Sequence, residues 1–359
     1  MRGLLLICLL IAPMGAASQN TLASRLMRGR SLFREGILRY FRGMAKRSVL
    51  ITGAAGFIGS HLSERFLSEG WQVLGVDNFL TGREKNLEMA LKHPDFRFEK
   101  ADVVRRFDFK SPFGAKFDWV YHFACPASPV DFEGLAQEIL EVDSVGTLNA
   151  LEYARANGSG FFIASTSEVY GDPLVHPQTE DYWGNVSPTG PRSMYDETKR
   201  FSEAATMVFH RKYGLDTRIV RIFNTYGPRM RLNDGRVVPA LCGQALRGEK
   251  LMVHGDGSQT RSFCFVSDLV DGIYRLGQSK ENFPTNVGNP TEYSLNDFAR
   301  VVSRVSGKQL EIQYLPARPD DPRRRCPDIS KAKRLLVWEL KVSLEDGLRR
   351  TMEAFQREL

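Results

Sequence analysis

The sequence predicts an α/β protein built on a doubly wound parallel sheet, with a smaller lobe formed by its C-terminal part. Short apolar runs rich in β-branched residues alternate with amphipathic helical patterns from Ser48 to Tyr226. Parallel strands need crossover connections, and helices of about 10 to 20 residues between the runs supply them on both faces of one sheet. The chain has 359 residues, of which 42% are hydrophobic and 25% charged, as is typical of a globular protein.

The elements of the sheet domain follow in order along the chain. The predicted strands are SVLIT at 48–52, WQVLGVD at 71–77, FRFEKADV at 96–103, FDWVYHFA at 117–124, GFFIASTS at 160–167 and DTRIVRIFN at 216–224. The predicted helices are SHLSERFLSEG at 60–70, GTLNALEYARANG at 146–158 and MYDETKRFSEAATMVFHRKYG at 194–214. Gly70, Gly158 and Gly214 stand where these helices should end, because glycine adopts the left-handed C-terminal conformation without strain.

After residue 226 the alternation loosens. Helices are predicted for VVPALCGQALRG at 237–248 and LNDFARVVSRVSG at 295–307, short strands for KLMVHGDG at 250–257 and LEIQYLP at 310–316, and a loop for PARPDDPRRRCPD at 316–328. The sequence therefore divides into an N-terminal extension at 1–47, a sheet domain at 48–226 and a mainly C-terminal lobe at 227–359. Some segments of this lobe are expected to return to the sheet domain.

The positive charge of the chain is concentrated near its start. The net charge is +7, and residues 1–48 carry eight Arg and one Lys against one Glu, a balance of +8 that leaves about −1 for the remaining residues. Because the folded part is not basic, nucleic acid is not an expected partner.

Residues 1–47 allow three interpretations. The apolar run at 4–12 followed by GAAS at 15–18 resembles a signal peptide, the later Arg-rich stretch resembles a transit peptide, and translation starting at Met44 would make residues 1–43 upstream sequence. The apolar run is shorter than the roughly 20 residues of a membrane-spanning helix, so no stable membrane span is expected. A start at Met44 predicts a cytoplasmic protein, whereas a genuine targeting segment predicts the secretory pathway or an organelle.

Five cysteines, at positions 8, 125, 242, 264 and 326, are odd in number and contain no CxxC pair. This spacing indicates neither a disulfide framework nor a zinc site, and no metal ligand is predicted.

A glycine-rich turn, Gly53-Ala-Ala-Gly56-Phe57-Ile58-Gly59, follows the first strand and opens the first helix. A dinucleotide pyrophosphate must approach backbone N–H groups at the positive end of a helix, and side chains at these positions would block it. The motif between a strand and a helix therefore predicts a Rossmann-type dinucleotide site, with Phe57 and Ile58 supplying the N–H groups.

Acidic residues close the next two strands. Asp77, followed by Asn78, is placed to accept hydrogen bonds from ribose hydroxyls and would repel a 2′-phosphate, which favours NAD over NADP. Asp102, followed by Val103, is placed to meet the adenine, although capping the strand end explains this residue equally well.

Tyr195 and Lys199 lie four residues apart on the long predicted helix and so share one face. A free tyrosine has a pKa of about 10, and a neighbouring ammonium together with a positive nicotinamide would lower it. The phenolate can then take a hydroxyl proton while hydride leaves for NAD. Thr166, at the end of an earlier strand, would hydrogen-bond the same substrate oxygen, and Tyr195 and Lys199 would also hold the cofactor.

Together, GxxGxxG, a Ser/Thr strand end before VYG, and YxxxK resemble the extended short-chain dehydrogenase/reductases (the NAD-dependent epimerase/dehydratase superfamily) that act on nucleotide sugars. More narrowly, a set of blocks between Ser48 and the C-terminus is similar to the UDP-glucuronate decarboxylases, also called UDP-xylose synthases. These blocks are HFACPASPV, STSEVYGDP, YWGNVSPTGPRSMYDETKR, RIFNTYGPRM, NDGRVV, GDGSQTRSFCFVSDLV and DDPRRRCPDISKAK.

The resemblance implies a reaction. UDP-glucuronate is oxidised at its C4 hydroxyl, the resulting β-keto acid loses CO₂ from C5, and hydride returns to C4, giving UDP-xylose and regenerated NAD. It also implies a homodimer formed through two helices of the sheet domain. Asn224, Arg236, Arg261 and Arg325 are implied in binding the UDP-sugar, since an arginine fork suits a diphosphate.

Glu168 and Arg325 are the residues that the resemblance links to decarboxylation. A carboxylate at Glu168 would destabilise the carboxylate of the sugar in its ground state. The related 4,6-dehydratases read Asp-Glu after the threonine, but this chain has Ser167 there; the 4-epimerases generally lack the glutamate. These two enzyme classes remain the alternatives, together with a non-enzymatic NAD-sensing protein, against which Tyr195 and Lys199 argue.

Three departures from the family pattern concern substrate specificity. Glu141 in ILEVDS stands where lysine is usual and is expected close to the meeting point of substrate and cofactor. DFEGLA at 131–136 replaces a tyrosine-rich stretch, and Cys326 replaces a common lysine.

Overall fold

The computed structural model describes residues 46–317 and 324–359. Arg47–Leu359 forms one compact unit. The alternatives for the N-terminal extension, and the centre of the predicted loop at 316–328, lie outside the described residues. Of the helices within the described ranges, none combines the length and the apolar character needed to cross a membrane.

Seven parallel strands form the central sheet in the order β11-β6-β5-β4-β1-β2-β3. They are β1 Ser48–Thr52, β2 Gln72–Asp77, β3 Phe96–Lys100, β4 Trp119–His122, β5 Gly160–Thr166, β6 Thr217–Ile222 and β11 Thr285–Val287. The order reverses between β1 and β4, which opens a crevice at the carboxyl ends of the strands. The predicted Rossmann-type doubly wound sheet is confirmed, and β11 is the segment from the C-terminal part that returns to it.

Strand side chains alternate between the two faces of the sheet and build a core on each. Val49 and Ile51 of β1 belong to one buried cluster, and Leu50 between them belongs to the other. Phe162 of β5 lies in the first cluster, and its neighbour Phe161 lies in the second. Because both faces are covered, these strands read as continuous apolar runs in the sequence.

Helices cover both faces and fill the C-terminal lobe. They are α1 Phe57–Ser68, α2 Glu88–Leu91, α3 Ala136–Glu141, α4 Thr147–Asn157, α5 Ser193–Tyr213, α6 Val237–Arg247, α7 Val266–Gln278, α8 Leu295–Val305, α9 Ser330–Leu336 and α10 Leu344–Gln356. Gly158 and Gly214 end α4 and α5 with φ of 66° and 67°, as predicted. The sequence analysis missed α7 and α10, whose apolar faces pack on the first cluster.

The C-terminal lobe contains three small sheets. They pair β7 Thr225–Tyr226 with β10 Cys264–Phe265, β8 Leu251–His254 with β13 Ile312–Leu315, and β9 Thr260–Ser262 with both β12 Glu292–Ser294 and β14 Arg324–Arg325. The prediction of a continuous loop at 316–328 is therefore wrong at β14, where Arg325 pairs with Arg261 of β9. The division between residues 226 and 227 remains an expectation.

Candidate active site

A cavity of about 620 Å³ lies at the carboxyl ends of the strands and is closed by the C-terminal lobe. Thirteen residues predicted for the cofactor, the substrate or the chemistry line it: Gly53, Gly56, Phe57, Ile58, Gly59, Thr166, Glu168, Tyr195, Lys199, Asn224, Arg236, Arg261 and Arg325. The predicted Asp77, Asn78, Asp102 and Val103 are not among the lining residues.

The glycine turn is built by close packing. Gly53 has φ of +71°, and a Cβ there would stand 2.6 Å from the carbonyl oxygen of Phe123. A Cβ on Gly59 would stand 2.0 Å from the carbonyl oxygen of Gly53. Gly56 precedes α1, so the unpaired N–H groups of the first turn of this helix lie at the cavity wall. This cradle accepts an anionic group that approaches the backbone.

Asp77 closes β2 and is nearly buried. Its Oδ2 accepts a hydrogen bond from the backbone N–H of Ala55 at 2.9 Å, and its Oδ1 accepts one from Phe79 at 2.8 Å. Burial raises the pKa of the Asp77 carboxyl, and these backbone donors partly oppose the rise. Asn78 is exposed and its Oδ1 accepts from the backbone of Leu80. Asp77 thus ties the end of β2 to the glycine turn.

Asp102 and Val103 follow β3 and shape a turn. Asp102 Oδ1 accepts from the backbone N–H of Val104 at 2.9 Å, as a local cap does. Val103 is buried, and its carbonyl oxygen accepts from the Asn149 side chain at 3.1 Å. These contacts match the capping alternative for Asp102, and the role toward adenine stays a prediction.

Tyr195 and Lys199 project from α5 and are buried side by side. Nζ of Lys199 lies 5.7 Å from the centre of the Tyr195 ring. Thr166 lines the same cavity as Tyr195 and acts to lower the pKa of the Tyr195 phenol. The ring of Phe132, within the departing stretch DFEGLA, stacks on Tyr195 at 5.0 Å between centroids. The structure therefore brings the predicted threonine, tyrosine and lysine together.

Asp143 is a residue of this site that the sequence analysis missed. It lies fully buried in the π-helical turn Val142–Gly146, and its Oδ1 accepts from Lys199 Nζ at 2.9 Å. Its Oδ2 accepts from the Cys125 thiol at 3.1 Å. Lys199 also donates to the carbonyl oxygen of Ala164 at 3.1 Å. The pairing joins positions 56 residues apart, so no sequence spacing signals it.

Burial and the neighbouring charges have opposing effects on the pKa of Tyr195. Burial raises the pKa of the Tyr195 phenol, and the Lys199 ammonium acts against this rise. Burial alone would lower the pKa of Lys199, but Asp143, Cys125 and Tyr195 together outweigh it, so the pKa of Lys199 is raised. Asp143 also raises the pKa of Tyr195. The lysine is therefore held charged, but its effect on the tyrosine is partly cancelled.

Glu168 lies between two guanidinium groups. Arg192 Nη2 donates to Glu168 Oε2 at 2.7 Å, and Arg325 Nη1 donates to Oε1. Burial raises the pKa of Glu168, but both arginines outweigh it and the pKa is lowered, so the residue is a carboxylate. Arg192 was also missed, although it stands in the quoted block GPRSMYDETKR one turn before Tyr195. The cluster of one carboxylate and two guanidinium groups is net positive.

Asp196 lies beside this cluster. Burial raises its pKa to about 7, with the Glu168 carboxylate adding to the rise. Its Oδ1 is buried and has no hydrogen-bond partner within the part of the chain that the structure describes.

The predicted substrate-binding arginines Arg236, Arg261 and Arg325 line the cavity. Arg236 donates from Nη2 to Asp234 Oδ2 at 2.8 Å, and Arg261 donates to the carbonyl oxygen of Thr260 at 2.8 Å. The carbonyl oxygen of Asn224 accepts from the backbone of Cys264 at 2.9 Å, which joins the end of the main sheet to the lobe.

The expectation that Glu141 lies close to the meeting point of substrate and cofactor stays a prediction. Glu141 ends α3, its Oε1 accepts from Gln137 at 2.9 Å on the same helix, and it is not one of the cavity-lining residues. The pair lies at the helix spacing of four residues, which directs the Glu141 side chain along α3.

Comparison with known proteins decides the family. The family model described as GDP-mannose 4,6 dehydratase matches residues 50–351. UDP-glucuronic acid decarboxylase 1 of Danio rerio is 48% identical over 314 residues, covering 88% of this chain and 74% of the relative. UDP-glucuronic acid decarboxylase 2 of Arabidopsis thaliana is 49% identical over 309 residues, covering 86% and 68%.

The chain belongs to the UDP-glucuronic acid decarboxylase family.

A solved structure of similar fold places this decarboxylase family among the epimerases and dehydratases of the extended short-chain dehydrogenase/reductases. It is a variant of UDP-glucuronic acid 4-epimerase from Bacillus cereus in complex with UDP-4-deoxy-4-fluoro-glucuronic acid and NAD. The TM-score is 0.77 at 30% identity, covering 87% of this chain and all of that chain. The resemblance described from the sequence blocks is confirmed.

Proposed function

We propose that this chain decarboxylates UDP-glucuronate to UDP-xylose and CO₂ through a C4-keto sugar, with internal recycling of NAD. The observation that carries the proposal is one cavity that joins Thr166, Tyr195 and Lys199 to the Glu168 cluster. Thr166, Tyr195 and Lys199 suit redox chemistry at a hydroxyl, and the Glu168 cluster suits binding of the carboxylate next to that hydroxyl. Relatives at 48 to 49% identity carry the name of this activity.

The residues of the crevice fit NAD. The glycine cradle packs the turn tightly against the start of α1, the N-terminus of α1 lies at the cavity wall, and Asp77 fixes the end of β2 against this turn. When bound, NAD would supply the hydride acceptor for oxidation at C4 and, once reduced, the hydride donor for the return step, so the overall reaction needs no external oxidant.

Tyr195 is the proton acceptor of this scheme. Its phenolate takes the proton of the C4 hydroxyl, Thr166 donates a hydrogen bond to the same oxygen, and Lys199 holds the phenolate by its charge. After CO₂ leaves, the electrons of the C5–C6 bond move into the C4 carbonyl as an enolate. Tyr195 and Thr166 hydrogen-bond that oxygen until C5 takes a proton from solvent, and Tyr195 then returns its proton to the C4 oxygen as the ketone is reduced.

Glu168, Arg192 and Arg325 act on the carboxylate of the sugar. Because Glu168 is paired with two guanidinium groups, its repulsion toward another anion is weakened, and the net positive cluster attracts the substrate. We infer that Glu168 orients both arginines, and that its charge favours release of the carboxylate as neutral CO₂. Arg236, Arg261 and Asn224 then hold the UDP part.

The proposal is tested by incubating the purified protein with UDP-glucuronate and catalytic NAD. Equal amounts of CO₂ and UDP-xylose are expected, with no net NADH. Formation of neither product, from protein that binds NAD, would contradict the proposal. A 4,6-dehydratase would leave UDP-glucuronate unchanged, because its C6 carboxylate has no hydroxyl to eliminate, and would instead give a 6-deoxy-4-keto product from UDP-glucose.

UDP-glucuronate 4-epimerisation is the second candidate, favoured by the fold shared with the Bacillus cereus enzyme. It uses the same C4 oxidation but keeps the carboxylate. UDP-galacturonate without CO₂ would identify it.

We also propose a homodimer through α5 and the adjoining α3–α4 region. Exposed apolar side chains follow α5 and the adjoining α3–α4 region: Phe201, Val208, Leu140, Val145 and Leu148. Light scattering after size exclusion should give twice the chain mass, and Phe201→Glu with Val208→Glu should halve it. Leu174→Glu, at another exposed apolar residue, is the matched control and should leave the mass unchanged.

We propose a cytoplasmic location on the basis of the sequence alone, with translation starting at Met44. N-terminal sequencing of the natural protein tests it, and a mature terminus just after residue 18 would contradict it.

A further inference from the structure

A cluster of three different metal-binding side chains lies next to the Arg325 strand and outside the cavity. The ligand atoms of His176, Glu292 and Cys326 all lie within 4.8 Å of one another. His176 Nε2 and Glu292 Oε2 are 2.9 Å apart. None of the three lines the catalytic cavity. The cluster is therefore a separate feature from the proposed active site.

The backbone positions of these residues are set by hydrogen bonds that do not involve the ligand atoms. The N–H of Gln178 donates to the carbonyl oxygen of Cys326, and the Gln178 side chain accepts from the N–H of Cys326, both at 2.9 Å. Glu292 begins β12, which pairs with β9, and β9 pairs on its other edge with β14. Two ligands are thus held on a small sheet and the third on the segment bound to it.

The donor set is one that zinc prefers. Zinc binds imidazole nitrogen, thiolate sulfur and carboxylate oxygen at about 2.0 to 2.3 Å, whereas magnesium and calcium select oxygen. A neutral imidazole, a carboxylate and a thiolate carry a total charge that one divalent cation balances. His176 is exposed, so an ion can enter and a water molecule can complete a tetrahedral set.

The sulfur of Cys326 is buried among oxygen atoms that would attract a cation. Cys326 is 3% exposed and its sulfur contacts the carbonyl oxygen of Pro290 at 3.3 Å. Glu292, the carboxylate member of the cluster, lies within 4.8 Å of this sulfur, and a divalent cation would offset its charge.

We propose that His176, Glu292 and Cys326 form a zinc site that holds the segment carrying Arg325. Cys326 directly follows Arg325, whose guanidinium donates to Glu168 and, at 2.9 Å, to the carbonyl oxygen of Gly171. Zinc at the cluster ties the loop at 173–178, β12 and the residues after β14 together. It therefore restricts the movement of Arg325 without touching the substrate.

The site is tested with full-length protein stripped by a chelator, desalted and titrated with Zn²⁺ or Co²⁺ alone. One ion per chain is expected, with one proton released on binding at neutral pH. Co²⁺ should give a thiolate-to-cobalt charge-transfer band. Cys326→Ser should abolish the band and weaken Zn²⁺ binding at least 10-fold, whereas Cys242→Ala, at a buried cysteine in α6, should change neither.

His176→Ala is the second variant, because an exposed side chain can be removed without loss of the fold. Zn²⁺ should raise the Tm of the wild-type protein and leave the Tm of this variant unchanged. Absence of the cobalt band in wild type, or its persistence in Cys326→Ser, would overturn the proposal. Since no ligand lines the cavity, that outcome would leave the proposed decarboxylation untouched.

Discussion

At the scale of single residues, the chemistry depends on charges that are buried in pairs. Lys199 has Asp143, and Glu168 has Arg192 and Arg325. Removing one member of a buried pair leaves the other uncompensated, so its effect exceeds that of an exposed ion pair. Substitution in the Lys199 pair should shift the pH profile, whereas substitution in the Glu168 cluster should lower kcat.

Asp143→Asn should shift the pH profile. The carboxylate raises the pKa of the Tyr195 phenol, so its loss lowers that pKa, while the amide oxygen of the variant can still accept from Lys199. More phenolate is then present at a given pH, so the acidic limb of kcat/KM should move to lower pH by about 1 unit, equivalent to about 1.4 kcal/mol. Asp256→Asn, at an exposed carboxylate, is the control. An unchanged limb in an active variant would contradict the role of Asp143.

Glu168→Gln should preserve NAD binding and slow turnover. The two arginines lose their carboxylate partner and are free to bind the substrate carboxylate, so KM for UDP-glucuronate should not rise while kcat falls about 100-fold. Steady-state kinetics and NAD fluorescence titration measure both effects. Glu197→Gln, at a more exposed glutamate of α5, should behave as wild type. Unchanged decarboxylation by Glu168→Gln would refute its assignment.

At the scale of elements, the contact between the glycine turn and α1 places the cofactor cradle. The start of α1 is fixed against the turn because Gly59 allows the helix to touch the carbonyl oxygen of Gly53. The end of β2 is fixed by the bond from Ala55 to Asp77. The cradle is thus a property of β1, β2 and α1 together.

Gly59→Ala should displace α1 from the turn. The added Cβ would stand 2.0 Å from a backbone oxygen that cannot move alone, so the free energy of unfolding should fall by about 1 to 3 kcal/mol. NAD affinity should fall at least 10-fold, as measured by calorimetric titration. Gly134→Ala, where the Cβ meets open space, is the matched control and should change neither quantity.

At the scale of the whole molecule, the C-terminal part closes the core of the main sheet. Trp338 is almost fully buried, and its Nε1 donates to the carbonyl oxygen of Asp268 in α7 at 2.9 Å. It also lies against Gly272 of the same helix. The segment after α9 thereby holds α7 over the sheet.

Trp338→Ala should lower the free energy of unfolding by about 3 to 5 kcal/mol, because a large cavity replaces the ring. Trp183→Ala removes the same side chain from a position that is 88% exposed and should change stability by about 0.5 kcal/mol or less. Chemical denaturation of both variants makes the comparison. Equal losses would contradict the role assigned to Trp338.

The sequence predicted the elements that are encoded by residues close together in the chain. The apolar strand runs, the helix-ending glycines and the glycine turn each depend on contacts within a few residues, and the structure has them at the predicted places. α7 and α10 were missed although their buried apolar residues recur at helical spacing, so a local signal for both helices was present. β14 was missed because two arginines do not signal a strand, and pairing with β9 alone makes them one.

The sequence by itself determined the main strands and helices of the sheet domain, the cofactor turn and the spacing of Tyr195 and Lys199. Because a helix places residues four apart on one face, this spacing alone predicts that the two side chains lie together. Only the tertiary structure brought Asp143 to Lys199, two arginines to Glu168, and His176 and Glu292 to Cys326. These partners are separated by 24 to 157 residues along the chain. Packing of the sheet and the lobe decides such contacts, and no local pattern encodes them.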